Sequence, residues 1–299
     1  MPSGPLVFDR SRLAGQRGRA AAGIAGAGWL LDCVQERLLE RLGDVRRGFA
    51  RALVLGGWDG RFAAALAASG KVEAVVASDL APAFATRSPV PALVADEEFL
   101  PFAPASFDVI VSPLVLQWVN DLPGTLLQAR AALAPDGLFL AALLGGATLA
   151  ELRRAWLDAE LAEEGGAGAR VAPTVDLRDG AGLLQRAGFA LPLADSEALT
   201  ATYASPLALM AELKAMGLGH ALIERRKAPT RRRTFAAACA RYQESFGLPD
   251  GRVPATFELV FLSGWAPHPA QPKPLARGSA ERRLAAALGA IEIAPERKP

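Results

Sequence analysis

Short apolar runs alternate with helical segments through the first half of the chain. The helical segments recur at residues 31–42, 61–68 and 125–133, and the apolar runs fall at residues 51–55, 72–77, 92–94, 107–111 and 138–144. Runs without polar alternation, separated by helices, indicate parallel strands that are buried on both faces of a sheet. The sequence therefore predicts an α/β fold with a doubly wound, mostly parallel sheet of the Rossmann-like type.

The pattern changes after Gly146 and predicts a helical insertion followed by C-terminal strands. Helical spacing covers residues 148–163, 175–187, 206–216 and 231–246, whereas residues 199–203 and 256–263 are strand candidates, the later one antiparallel. Together with the prolines after position 266, this pattern predicts four parts of the chain. They are an N-terminal helical segment at 1–47, a ligand-binding α/β core at 48–146, lid helices and C-terminal strands at 147–266, and an extended tail at 267–299.

Composition indicates a globular chain with a sizeable core and no preference for nucleic acid. Hydrophobic residues make up 51% of the 299 positions, and 33 basic residues against 31 acidic ones leave a net charge of +2. The one strong basic cluster, at residues 225–227 and 231–233, lacks the interleaved aromatic residues of nucleic-acid sites. We interpret it either as a solvated helix start or as a surface for an acidic partner.

Neither a membrane span nor a metal site is expected. No apolar run is long enough to cross a bilayer. Arginines at 10, 12, 17 and 19 precede an apolar stretch, but its glycines at 23, 26 and 28 and the lack of a cleavage pattern argue against a signal peptide, so a cytoplasmic location is expected. Cys33 and Cys239 have no metal-ligand spacing, and only two histidines occur.

A glycine-rich turn follows the first predicted strand and carries most of the chemical information. Gly56, Gly57 and Gly60 let the backbone approach a ligand closely, or simply make a tight turn between strand and helix. Asp79, at the end of the second strand, comes 19 residues after Gly60 and is followed by Leu80. That spacing places a carboxylate where it can hold a ribose diol, so the region predicts a nucleotide-type site.

Acidic residues also follow the third predicted strand. Asp96 and Glu97 lie where an adenine amino group would sit in such a site, although solvated loop acids are the plainer interpretation. We therefore predict a cofactor site formed by Gly56, Gly57, Gly60, Asp79, Leu80, Asp96 and Glu97.

Several blocks of the chain resemble the class I S-adenosylmethionine-dependent methyltransferases. Their third to fifth strands are similar to Asp-Glu-Glu-Phe-Leu-Pro-Phe, Ser-Phe-Asp-Val-Ile-Val-Ser and Ala-Pro-Asp-Gly-Leu, at residues 96–102, 106–112 and 134–138. The segments at 8–10, 117–121, 145–153, 253–256 and 264–279 resemble one branch of the family. That branch contains the biotin-synthesis malonyl-carrier methyltransferases and, closer to this chain, the mitochondrial assembly factor of respiratory complex I.

The resemblance implies an S-adenosylmethionine cofactor and a protein or acyl-carrier substrate, with a complex I subunit as one candidate. It implies two alternatives for function, because the mitochondrial member is associated with arginine hydroxylation. Methyl transfer depends mainly on positioning, so no catalytic residue is named. Trp118, Trp265 and His268 are candidate substrate contacts.

The first motif departs from the family pattern at two positions. Val54 stands in place of the usual acid, and Trp58 stands in place of a glycine. A large side chain at 58 is expected to obstruct the turn, so we expect weak binding of S-adenosylmethionine. These departures favour the non-methylating alternative, whereas Asp79 and Asp96 favour methyl transfer.

Overall fold

A computed structural model describes residues 6–174 and 177–272, and a seven-stranded sheet forms its centre. The strands are β1 (Phe49–Leu55), β2 (Val72–Asp79), β3 (Ala92–Val94), β4 (Phe107–Pro113), β5 (Leu133–Leu144), β6 (Ala190–Tyr203) and β7 (Val253–Trp265). The helices are α1 (Arg10–Ala20), α2 (Ile24–Ala27), α3 (Trp29–Gly43), α4 (Arg61–Ala68), α5 (Pro82–Ala85), α6 (Leu122–Ala132), α7 (Ala150–Glu164), α8 (Leu177–Arg186), α9 (Pro206–Ala215) and α10 (Arg232–Phe246).

The strand order is β3-β2-β1-β4-β5-β7-β6, and β1 to β5 run parallel. The late strand β7 pairs antiparallel with both β5 and β6. These observations confirm the predicted doubly wound, mostly parallel fold. From β1 the chain moves first towards β3 and then returns to β4, so the order reverses between β1 and β4. Ligands of open α/β sheets bind beyond the carboxyl ends of the strands at such a reversal.

Burial of the central strands explains why they carry almost no polar residues. The β1 residues 52–55 and the β4 residues 109–111 are completely or almost completely buried, because helices cover both faces of the sheet. The predicted bounds of β3 and α4 agree with the structure, whereas β2 and β4 each extend two residues further.

The edge strand β6 is longer than its sequence suggests. Prediction placed a strand only at 199–203, but β6 begins at Ala190 and includes Pro192, Asp195 and Glu197. An edge strand needs partners on one side only, and β6 pairs with β7 along its length, so proline and charged residues are tolerated. The helix predicted at 175–187 appears as α8, and its first two predicted residues lie outside the described ranges.

The helix α1 falls within the N-terminal helical segment predicted at 1–47, although the sequence analysis placed no individual helix at these residues. Asp9 caps it by accepting a hydrogen bond of 2.9 Å from the backbone N–H of Arg12. Its buried side chains are Leu13, Arg17 and Ala20. Because an arginine occupies the middle of this buried stripe, the segment does not show the apolar periodicity by which helices are recognised.

Contacts divide the chain into one unit at Met1–Pro267 and a second at His268–Pro299. Most of the predicted tail lies outside the described residues, and the predicted four-part division stays a prediction. Over the ranges described, no helix combines the length and apolarity that crossing a bilayer requires.

Two leucines of α9 provide a matched test of how this helix packs. Leu209 is 0% exposed and Leu207 is 58% exposed. We expect Leu209→Ala to lower the free energy of unfolding by about 2–5 kcal/mol, because the substitution leaves a cavity in the core. The same change at Leu207 should cost less than about 0.5 kcal/mol. Urea denaturation measures both values, and equal losses would contradict the described orientation of α9.

Candidate cofactor and substrate site

The glycine turn after β1 is formed and packs tightly against its own chain. Gly56 has a φ of +90°, and its N–H and that of Gly57 both donate to the Ser78 carbonyl at 2.9 and 2.8 Å. A Cβ at Gly56 would overlap the Val115 side chain. Gly60 has a φ of +80° and is the N-cap residue directly before α4. The glycines are therefore needed both for backbone conformation and for close approach of neighbouring segments.

Trp58 is built into the site as a buried side chain. Its φ of +47° lies in the left-handed region, where the family usually has a glycine. The side chain is 3% exposed, its indole N–H donates to the Pro113 carbonyl at 2.9 Å, and its ring meets Phe84 edge to face at 5.6 Å. These contacts offset the backbone strain. Val54, the other departure, is fully buried in β1 and lies among apolar neighbours.

Asp79 ends β2 and binds an arginine of α1. One carboxylate oxygen accepts the Ala81 N–H at 2.8 Å, and the other accepts the Trp58 N–H at 3.0 Å. That second oxygen also accepts a hydrogen bond of 2.5 Å from Nη2 of Arg17. Both side chains of the ion pair are 1% exposed. The Arg17 guanidinium lies over the Trp58 ring, 4.1 Å from its centroid, so the cation is held by a carboxylate and an aromatic face.

A second arginine of α1 binds the acids that follow β3. Arg10 pairs with Asp96 at 2.6 Å and with Glu97, and its Nη1 donates to the Trp118 carbonyl at 3.1 Å. Burial raises the pKa of Glu97, and the charges of Arg10 and Arg17 act against that rise. Leu80 packs beside this cluster against an apolar group that includes Phe8 and Trp118.

The predicted cofactor residues thus lie around one region at the carboxyl ends of the strands, and guanidinium groups bind their carboxylates. We define this region as the acidic site; it consists of Trp58, Asp79, Asp96 and Glu97. The N-terminal arginines were considered only as part of a signal-like pattern. The signal that would have identified them is their spacing, since Arg10 and Arg17 lie seven residues apart and so share one helix face with Leu13.

A cavity of about 360 Å³ lies beside the acidic site. Apolar side chains of α7, α9 and β7 line it together with Gln117 and Trp118 after β4. Leu218 lines both this cavity and a small void against Trp58, so the two sites share a wall. We call this cavity the cationic pocket, because the described residues that line it include several bases and no carboxylate. The bases are Arg12, Arg170, Lys214, Arg225 and Arg226.

The cations of the pocket differ in how far they are neutralised. Glu160 binds Arg170, which also lies 4.7 Å over the Trp156 ring, and Arg226 pairs with Glu164. Within the described ranges, Arg12 and Lys214 make no ion pair. The pocket therefore keeps positive charge available to a ligand.

Two buried polar atoms in the pocket wall lack hydrogen-bond partners in the described part of the chain. They are Oε1 of Gln117, a side chain that is 5% exposed, and Nε2 of His220. Burial lowers the pKa of His220, and the nearby charges of Arg170, Arg225 and Arg12 lower it further. Such unpaired atoms are what a polar ligand group would complete.

The candidate substrate residues do not lie together. Trp118 lines the cationic pocket and meets Phe8 edge to face at 5.5 Å. Trp265 pairs with Leu138 of β5, which lies opposite Val109 near the start of β4, so Trp265 is at the opposite end of the parallel strands from Asp79, and Arg47 stacks on it at 5.0 Å. This placement corrects the expectation that Trp265 lines the same site. His268 belongs to the second unit, where it is exposed and its Nδ1 accepts the Ala270 N–H.

The chain matches known proteins over most of its length. Residues 53–141 match the family described as a methyltransferase domain. The arginine-hydroxylase NDUFAF5, mitochondrial, of Danio rerio is 38% identical over 93% of this chain and 88% of its own length. The malonyl-[acyl-carrier protein] O-methyltransferase of Halorhodospira halophila is 38% identical over 78% of this chain and 79% of its own. The YcgJ protein of Bacillus subtilis has the same fold, with a TM-score of 0.53 and 15% identity over 77% of this chain and 98% of its own.

The fold and the site at the carboxyl ends of its strands define a methyltransferase-fold protein. The extent and identity of the matches show that the chain belongs to the class I S-adenosylmethionine-dependent methyltransferase family. Within that family its relatives include both arginine hydroxylases and malonyl-carrier methyltransferases.

The buried ion pair of the acidic site makes a strong prediction about stability. Asp79→Ala should lower the free energy of unfolding by about 3–5 kcal/mol, because Arg17 would then be a buried cation without a counterion. The matched control is Asp158→Ala on α7, whose partner Arg154 is 66% exposed. That surface pair should contribute no more than about 1 kcal/mol. Urea denaturation of both variants tests this difference, and similar losses would contradict a dominant Arg17–Asp79 pair.

Proposed function

We propose that the protein transfers a methyl group from S-adenosylmethionine to the carboxylate of an acyl group that a carrier protein presents. The observation that supports this proposal is the cationic pocket, in which the described lining residues join an apolar wall to several bases and include no carboxylate. A short acyl chain fits the apolar wall, and its terminal carboxylate fits the bases.

S-adenosylmethionine is the cofactor of the family to which the chain belongs. The acidic site suits it chemically, since carboxylates at the ends of β2 and β3 accept hydrogen bonds from hydroxyl and amino groups. Oε1 of Glu97 is buried and has no partner within the described residues, so a ligand donor would complete it. Asp79 would hold the ribose hydroxyls, and Asp96 and Glu97 would hold the adenine edge.

The residues of the pocket have a positioning role in this reaction. The bound cofactor supplies an electrophilic methyl group, and a carboxylate oxygen needs no base to act as the nucleophile. The task of the chain is to hold that oxygen in line and to exclude water. Arg12 and Lys214 are the cations that would hold the carboxylate, because the other bases already have acidic partners.

The basic cluster near the pocket suits an acidic carrier. Arg226 lines the pocket, and Lys227, Arg231 and Arg232 are exposed next to it along the chain. Complementary charge would steer an acidic carrier protein towards the pocket. A cytoplasmic location stays a prediction.

Arginine recognition is the second candidate function. It is favoured by one observation, that the acidic site holds the guanidinium groups of Arg10 and Arg17. A substrate arginine, such as one on a respiratory complex I subunit, would find the same carboxylates. The mass of the product separates the two functions, because methylation adds a methylene to the substrate and hydroxylation adds an oxygen atom.

A matched pair of ligands tests the pocket. We expect malonyl-N-acetylcysteamine to bind in calorimetry and acetyl-N-acetylcysteamine, which lacks the carboxylate, to bind at least about tenfold more weakly. Lys214→Met should weaken binding of the malonyl compound by about tenfold. The control is Arg154→Met, a change to an exposed base of α7 outside the pocket. Equal affinity for both ligands would contradict an acyl-carboxylate site.

His220 provides a test by NMR titration. Its pKa is lowered in the free protein, so it is neutral near pH 7, and an anion in the pocket should raise that pKa. By linkage, the malonyl compound should bind more tightly as the pH falls through the pKa of His220 in the complex, and this gain should level off below the pKa of His220 in the free protein. A His220 titration that does not respond to the ligand would place the anion elsewhere.

A further inference from the structure

We propose that α1 is an internal occupant of the cofactor site, and that S-adenosylmethionine binds only to a form in which Arg17 has left Asp79. The choice of S-adenosylmethionine as the ligand rests on the proposed function. The proposal itself concerns the residues of this chain that compete with that ligand.

Arg17 and the ligand compete because hydrogen-bond donors of the chain already occupy the Asp79 carboxylate. Its oxygens already accept hydrogen bonds from the N–H groups of Trp58 and Ala81 and from Arg17. The two backbone donors belong to the segments that follow β1 and β2, and they fix the carboxylate. The Arg17 guanidinium is the one side chain among the three donors and reaches Asp79 from α1, so it is the donor that a ribose hydroxyl would replace.

Space leads to the same conclusion. Arg17 and Asp79 are each 1% exposed, and the guanidinium lies against the Trp58 ring at 4.1 Å. A ligand that reaches Asp79 must therefore enter the volume that the guanidinium fills. Arg10 blocks the adenine end in the same way, because it binds both Asp96 and Glu97.

The way α1 is held indicates which end can move. Its start is fixed, since Phe8 pairs with Leu222 in a β-bridge and the Asp9 N–H donates to the Ala221 carbonyl at 2.8 Å. Its end leads into Gly23 and Gly26, where an added Cβ would meet none of the described atoms within 4 Å. An outward swing about Phe8 would therefore move Arg17 more than Arg10. Such a swing would break the hydrogen bond that Arg87 donates to the Ala21 carbonyl at this end of the helix.

The retaining forces on Arg17 are incomplete. Its Nε is buried and has no hydrogen-bond partner within the described residues. A buried guanidinium must have its donors satisfied for the ion pair to repay the cost of desolvation. The ion pair therefore closes the site in the free protein. Because one guanidinium donor stays without a partner, a ligand can replace Arg17 at Asp79 at a lower cost.

Calorimetry with S-adenosylmethionine tests the proposal in the full chain. We expect Arg17→Ala to bind at least about tenfold more tightly than the wild type, because removal of the occupant raises the fraction of protein that is competent to bind. The matched control is Arg19→Ala, an exposed arginine of the same helix, which should bind as the wild type does. Equal or weaker binding by Arg17→Ala, or no binding by either protein, would overturn the proposal.

Hydrogen exchange of the wild type supplies a measurement that does not depend on the folding of a variant. Saturating S-adenosylmethionine should accelerate amide exchange in residues 10–20, whereas the amides of β1 and β4 should show no acceleration. Slower or unchanged exchange in α1 would mean that the helix stays in place or closes over the cofactor, and would overturn the proposal. Failure of methyl transfer to the malonyl compound would reject the proposed substrate and leave both of these readouts intact.

Discussion

The ion pair between Arg17 and Asp79 is the interaction on which the arrangement of the site depends. It joins α1 to the end of β2 in a setting where both side chains are almost fully buried. In such a setting neither charge is tolerated alone, so each fixes the place of the other. The position of α1 then determines the position of Arg10 on the second pair of acids and of Arg12 at the cationic pocket.

The two departures from the family motif have different consequences in this frame. Val54 extends the apolar core of β1. Because valine stands there in place of the usual acid, this position buries no charge that would need a partner. Trp58 has a more active part. Its backbone N–H binds Asp79, its indole N–H binds the Pro113 carbonyl, and its face receives the Arg17 cation. The turn has therefore been rebuilt around the tryptophan instead of being merely obstructed by it.

The sequence predicted the parts of the molecule that are determined by residues close together along the chain. The parallel sheet, the glycine turn and the placement of Asp79 follow from apolar runs and from spacing along the chain, and the structure agrees with them. The bounds and the buried face of α1, within the helical segment predicted at 1–47, could not be found in this way, because the buried stripe contains Arg17, whose burial depends on an acid 62 residues away in the sequence. The cationic pocket was missed for a related reason. Its bases come from segments as far apart as Arg12 and Arg226, and each of them alone resembles a surface residue.

The acidic site and the cationic pocket are linked through α1, since this helix contributes Arg10 and Arg17 to one and Arg12 to the other. Arg12 also donates to the His220 carbonyl at 3.1 Å, and Arg225 of the pocket binds the Asp9 cap of the helix at 3.3 Å. A swing of α1 that frees Asp79 would therefore strain or break contacts in the pocket wall and move one of its cations. Coupling between two sites is reciprocal, so an anion that holds Arg12 in the pocket would stabilise the closed helix and disfavour the cofactor. By the same reciprocity a bound cofactor lowers the affinity of the pocket for the anion, so each ligand weakens the binding of the other through the position of α1.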